Sequence, residues 1–257
     1  MPVPGELAVR ALAVIPARWA SSRFPGKPLA TLVGRPLIQH AVEAALQSGA
    51  FERVVVATDD ARIALAVRRF GGEVEETSAS HLSGTDRVAE VAARLPSDAP
   101  DVVVNVQGDE PLLDAESLRA LVQAFHDVKV AMATLVRPLR EVAERESPHV
   151  VKAVLDAAGD ALYFSRADIP YERGRGPVPR LAHVGLYGYR RETLLRLAGL
   201  PPGALEVAES LEQLRALEHG IRIRCVLTQH ASIGVDTPAD LARAEAALAK
   251  RGGVPGH

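Results

Sequence analysis

The stretch VIPARWASSRFPGKPL, Val14 to Leu29, leaves an apolar run and places Arg18, Arg23 and Lys27 in one loop punctuated by Pro16, Pro25, Gly26 and Pro28. Arginine offers planar bidentate contacts, lysine a mobile point charge, and the backbone N–H of Gly26 another donor, the groups that cradle a polyphosphate. The loop is not a Walker A motif, because GKP lacks the hydroxyl after the lysine and the spaced first glycine. A solvated basic loop is the plain alternative, and it weakens once the other strand ends are read.

The run DVVVNVQGDEP ends in Gln107, Gly108, Asp109 and Glu110. Carboxylates at a strand end, facing a basic loop, suit a Mg2+ that bridges phosphates, since Mg2+ takes one or two protein carboxylates and fills its shell with phosphate and water. SIGVDTP sets Asp236 just ahead of a helix, where it is either a capping residue or a second carboxylate beside Asp109. HLSGTDR, His81 to Arg87, holds Ser83, Gly84 and Thr85, which read as a turn and N-cap or as a loop that contacts a base through backbone and hydroxyl groups.

These groups need a scaffold that brings strand ends together. ALAVIPA, RVVVATDD and DVVVNVQGDEP read as buried strands, and PLIQHAVEAALQSG, ARIALAVRRFGG, TDRVAEVAARL and DAESLRALVQAFH as helices between or after them. Strands apolar on both faces that alternate with helices predict a doubly wound, mostly parallel α/β sheet, whose ligands sit outside the carboxyl ends of the strands. The second half changes rhythm. VKVAMATLVRPL, VVKAVLDAAGDALYFSRADIP and LAHVGLYGYRR read as strands without full helices between them, an antiparallel excursion inserted over about residues 137–191 of one domain spanning 1–257. LEVAESLEQLRALEHG is predicted as a helix, IRIRCVL as a strand and TPADLARAEAALAK as the last helix.

A chain of 257 residues, 47% hydrophobic and with a formal charge of −2, has the profile of a globular protein and is large enough to bury a core without staples. Near-neutral charge argues against a general nucleic-acid binder, so the basic loop is local and fits a small anion. Cys225 is the only cysteine, which excludes an intramolecular disulfide and a multi-cysteine metal site, and makes a reducing, cytoplasmic setting the expectation. No signal pattern and no apolar run near the ~20 residues of a membrane helix is present, so no membrane role is expected.

The motifs VIPARWASSRFPGKPL, HLSGTDR, NVQGDEP, ALYFSRADIP, HVGLYGYRR, ESLEQLR and GVDTP together resemble the 3-deoxy-manno-octulosonate (Kdo) cytidylyltransferases, the CMP-Kdo synthetases of lipopolysaccharide biosynthesis. The resemblance runs from about Val14 to Leu241 and implies a nucleotide-diphospho-sugar transferase-like fold. It implies that Arg18, Arg23 and Lys27 bind the triphosphate of CTP, with Arg18 and Lys27 acting at the α-phosphate. Ser83, Thr85, Arg87 and Gln107 would lie along the nucleotide, and Asp109 and Asp236 would hold Mg2+. Arg166 would meet the carboxylate of Kdo, and His183, Tyr187, Glu212 and Gln213 its hydroxyls; the alternative is that His183 and Tyr187 only pack and that Glu212 is a solvated charge. The inserted lobe would form a homodimer. Trp19 stands where the family is expected to carry tyrosine, and no residue is identified as a general base. A sialic acid or the 8-amino analogue of Kdo is the competing acceptor, and a nucleotide-binding protein without turnover the competing class.

Overall fold

The run ALAVIPA becomes strand β1 (Ala11–Ala17), buried along nearly its whole length because it has a neighbour on each side. The structure is a computed structural model, and the residues it describes are 9–20, 24–174, 178–230 and 233–252. They divide into two units: Arg10–Arg119 with the chain after Ser232, and the intervening Ala120–Ala231.

In the first unit a 3-10 turn at Lys27–Leu29 leads to a short hairpin of β2 (Thr31–Leu32) and β3 (Arg35–Pro36). Then follow α1 (Leu37–Ser48), β4 (Arg53–Thr58), α2 (Ala61–Arg69), β5 (Glu73–Glu76), α3 (Gly84–Arg94), β6 (Val102–Asn105) and α4 (Ala115–Gln123), in which the chain leaves the unit. Strands β6, β1, β4 and β5 lie side by side in that order, all parallel. Helix α1 buries Leu37, Ile38, Ala41, Val42 and Ala45, the 3.6-residue spacing its sequence shows, and stops at Gly49 with φ 64. The hairpin escaped the sequence reading because its turn, Val33 and Gly34, has positive φ at both positions, and a β-branched residue rarely signals that conformation.

Pro16 inside a central strand needs an explanation, since proline cannot donate to the ladder. The Val106 N–H donates to Val14 O, so Pro16, two residues on, faces the same side, where β6 has already ended at Asn105. The proline thus stands beyond the last paired residues of the β1–β6 ladder, Val14 and Asn105, and interrupts none of its pairs.

The second unit carries β7 (Met132–Pro138), α5 (Val142–Glu146), β8 (Lys152–Leu155), β9 (Ala161–Ser165), β10 (Leu181–Arg190), α6 (Arg191–Ala198), α7 (Ala204–Glu209), α8 (Gln213–Glu218) and β11 (Ile223–Leu227). Strand β11 runs parallel to β7, whereas β7 with β10, β10 with β8, and β8 with β9 are antiparallel. Two departures from the sequence reading fall here. The segment predicted as one helix over LEVAESLEQLRALEHG is two, because Ser210 takes φ 52 and caps α7 with its N–H on Glu206 O. Arg215 of α8 then closes back on Glu206 through two hydrogen bonds of 2.7 and 2.6 Å. The segment after β10, which the sequence reading left unassigned, forms α6. The final helix α9 (Pro238–Gly252) returns to the first unit, where Val235 and Ala244 pack with Leu32 and Leu37. The fold is α/β with a mostly parallel sheet and antiparallel strands. Among the described residues no helix is long and apolar enough to cross a membrane.

Candidate active site

At the carboxyl end of β1 the first unit holds a cavity of about 290 Å³. Arg18, Lys27, Ser83, Arg87, Gln107, Asp109 and Asp236 line it, seven of the residues singled out in the sequence. Thr85 is buried behind it and does not reach its wall, and Arg23 lies outside the described residues.

Lys27 is central. Its Nζ is 2.6 Å from Asp109 Oδ2 and 3.1 Å from Asp236 Oδ1, with only 13% of the side chain exposed. The two carboxylates come from segments far apart in the chain, and a backbone bond holds those segments together: the Val235 N–H donates to Asp109 O at 2.9 Å. Whether Asp236 is a helix cap is decided by its neighbours. Asp240 Oδ2 accepts from the Asp236 and Thr237 N–H groups and from Thr237 Oγ1, and Thr237 Oγ1 accepts from the Asp240 N–H. That is a Thr–Asp capping box, so the Asp236 carboxylate is not needed for the cap and is turned to the cavity. Two carboxylates meeting on one ammonium also make a donor set that fits a hard divalent cation, which takes oxygen ligands of this kind.

Gly108 lets backbone approach here. A Cβ on it would lie 2.8 Å from Ile38 Cδ1 and 3.3 Å from Ile15 Cγ2. Opposite, Ser83 Oγ accepts from the Asp86 N–H and Asp86 Oδ2 from the Ser83 N–H, so the Ser83 hydroxyl caps α3. The cap leaves the first amides of α3, at Gly84 and Thr85, at the positive end of the helix dipole beside the cavity. Arg87 is buried and reaches Thr77 Oγ1 and, at 3.2 Å, Asp59. His81, which the sequence reading passed over, lines the cavity and is held by Glu90. Its signal was present, since it opens the HLSGTDR motif.

The second unit gathers the residues expected to meet a sugar acid. In β10 the register slips between Val184 and Tyr187, and Thr134 of β7 fills the bulge. Its Oγ1 donates to Leu186 O at 2.8 Å and therefore accepts from His183 Nε2 at 2.9 Å. Four residues of regular strand would separate His183 and Tyr187 by about 13 Å; the bulge brings their rings to 5.3 Å, with Phe164 edge-on to His183 at 5.1 Å. Burial pushes the His183 pKa down to about 3 and raises that of the Tyr187 phenol, which also feels Tyr189 and Glu212. Both rings are neutral hydrogen-bonding groups. Gln213 is buried, and its Nε2 has no hydrogen-bond partner within the described residues.

Arg166 is fixed by carbonyls: Nε donates to Glu209 O, Nη1 to Pro148 O and Nη2 to Ser210 O. Three of the five N–H groups of a guanidinium are thereby used, and each terminal nitrogen keeps one for another acceptor. Two groups missed in the sequence support it. The Glu209 carboxylate accepts from the Arg166 N–H and Ser165 Oγ, and the buried Lys152 ammonium donates to Arg166 O, Val150 O and Ser147 O. Nothing in the spacing marks a lysine that serves carbonyls alone.

The family model of the cytidylyltransferases matches residues 12–223. A 3-deoxy-manno-octulosonate cytidylyltransferase of Myxococcus xanthus is 56% identical over 95% of this chain and 98% of its own length. One of Geobacter metallireducens is 50% identical over 89% of this chain and 94% of its own. A solved CMP:2-keto-3-deoxy-manno-octonic acid synthetase complexed with CTP superposes with a TM-score of 0.89 at 45% identity, covering 94% of this chain and 99% of that one. Matched over nearly its full length at such identities, the chain belongs to the 3-deoxy-manno-octulosonate cytidylyltransferase family.

Proposed function

We propose that this chain couples CTP to 3-deoxy-manno-octulosonate, giving CMP-Kdo and pyrophosphate for lipopolysaccharide biosynthesis. The anomeric hydroxyl of Kdo attacks the α-phosphorus and gives up its proton to solvent; the bond from that phosphorus to the bridging oxygen breaks, and its electron pair leaves on pyrophosphate. The observation that carries the reading is the Lys27 ammonium between Asp109 and Asp236 at the mouth of a parallel sheet, in a member of this family.

Asp109 and Asp236 are the residues that would hold Mg2+, which when bound neutralises phosphate charge and polarises the phosphorus. Arg18, Arg23 and Lys27 bind the triphosphate, and Arg18 and Lys27 stabilise the charge that builds on the α-phosphate. Ser83, Thr85, Arg87 and Gln107 shape the nucleoside side, Ser83 and Thr85 through the start of α3 and Arg87 through its hold on Thr77 and Asp59. In the second unit one N–H on each terminal nitrogen of Arg166 takes the carboxylate of Kdo, and neutral His183 and Tyr187, with Glu212 and Gln213, bind its hydroxyls. The unpartnered Gln213 Nε2 supports a polar ligand there, because a buried donor without an acceptor is costly.

The chain acts in the cytoplasm as a single domain whose inserted lobe, about residues 137–191, pairs two copies. The exposed Leu162 on β9 supports such a contact. The test is pyrophosphate release with Mg2+, crossing CTP, UTP and ATP against Kdo, its 8-amino analogue and N-acetylneuraminate. Release with CTP and Kdo alone is expected; release with another acceptor moves the sugar assignment, and none at all overturns the reading.

A further inference from the structure

Trp19 is the one tryptophan of the chain, and it joins two segments that share no motif. Its indole lies against Gly26, where a Cβ would come within 2.9 Å of Cη2 and 3.0 Å of Cζ2. The Gly26 N–H donates to Trp19 O at 3.0 Å, and Gly26 has φ 72, so only a residue free to take that conformation and lacking a side chain closes the turn under the ring. The next residue is Lys27. On the same ring, Arg62 of α2 places its Cζ 3.4 Å from the ring centroid, well inside the ~6 Å at which a guanidinium feels the π face.

Arg62 is held for this contact. Asp60, the N-cap of α2, accepts from Arg62 Nε at 2.9 Å, from Nη2 at 2.6 Å and from the Arg62 N–H at 2.9 Å. A guanidinium tied edge-on to a carboxylate keeps its flat face for the indole, which lysine cannot imitate. An exposed arginine paired only with its near neighbour would be an ordinary surface feature; one stacked on a ring that itself covers the turn before Lys27 is not.

We propose that Arg62 is a positioning residue for the nucleotide site: stacked on Trp19, it holds the Gly26 turn that delivers Lys27 to Asp109 and Asp236. This rests on reading that site as the one that binds CTP. Arg62 touches neither substrate; it acts through Trp19.

The test uses the full chain as wild type, Arg62→Ala and Arg62→Lys. Without nucleotide, acrylamide quenching of Trp19 fluorescence is expected to rise in Arg62→Ala, and acetic anhydride to acylate Lys27 faster, read by peptide mass spectrometry. With substrates, the KM for CTP is expected to rise about three- to thirtyfold while the KM for Kdo and the melting temperature hold, and Arg62→Lys should fall between. Unchanged quenching or an unchanged acylation rate overturns the proposal, as does a parallel rise in both KM values with a lower melting temperature. A wild type that does not turn over CTP would refute the reading of the site, and the quenching and acylation measurements would still decide the role of Arg62.

Discussion

The Lys27 ammonium stands 2.6 Å from the Asp109 carboxylate, in the loop that follows β6. Asp236, 3.1 Å from the same nitrogen, completes a cluster in which two carboxylates share one ammonium. In the proposed reaction Asp109 and Asp236 would hold the metal, and Lys27 would be released to a phosphate oxygen. Lys27→Met is expected to lower kcat/KM about 10²–10³-fold, the loss seen when one preorganised donor to developing charge is removed. Lys27→Arg should recover little of it, because a planar fork does not fit an apex between two carboxylates. Steady-state kinetics of both variants checks this.

His183 gives a pH dependence whose sign is fixed by burial. Its folded pKa is pushed from 6.5 to about 3, so the native ring stays neutral while the unfolded ring takes up a proton below 6.5. The stability tied to a neutral His183 is fully present above pH 6.5 and is lost as pH falls from there toward 3. Denaturant unfolding of wild type and His183→Gln across that window should show the wild type losing stability more steeply. Kdo affinity should not follow a titration of His183 between pH 5 and 8.

Cys225 is buried on β11, and desolvation pushes its thiol up to about 12. The thiolate is the reactive form, so Ellman's reagent should leave the native protein nearly unmodified at pH 8 and react fully once the chain is unfolded. A fast stoichiometric reaction of the native protein would contradict the burial described for β11.

Much of the site was legible because its residues stand at strand ends. Lys27, Asp109 and Asp236 each follow an apolar run or precede a helix, and a parallel sheet brings such positions to one edge. That Asp236 is not the helix cap was legible in principle too: the spacing of Thr237 and Asp240 is that of a capping box, which assigns the cap elsewhere. The bulge at Gly185 and Leu186 was not legible. Alternation along LAHVGLYGYRR fits a regular strand, and only Thr134 on the partner strand reveals the slip that sets His183 against Tyr187. The break at Ser210 was hidden for a similar reason, since its left-handed conformation is supported by contacts from elsewhere, among them Glu209 on Ser165 and the Arg166 N–H. Trp19 and Arg62 meet through a ring stacked on another segment, a contact that no periodicity encodes.

The central claim is that Asp109 and Asp236 together hold the metal that carries the triphosphate. The most direct measurement is pyrophosphate release from CTP and Kdo as a function of Mg2+ concentration, for wild type and Asp236→Asn, with circular dichroism confirming that both are folded. The Mg2+ concentration for half-maximal rate should rise at least about tenfold in Asp236→Asn, and the maximal rate should fall with it, since an amide oxygen is a weaker ligand for a hard cation. Superimposable Mg2+ curves at equal maximal rates would contradict the claim.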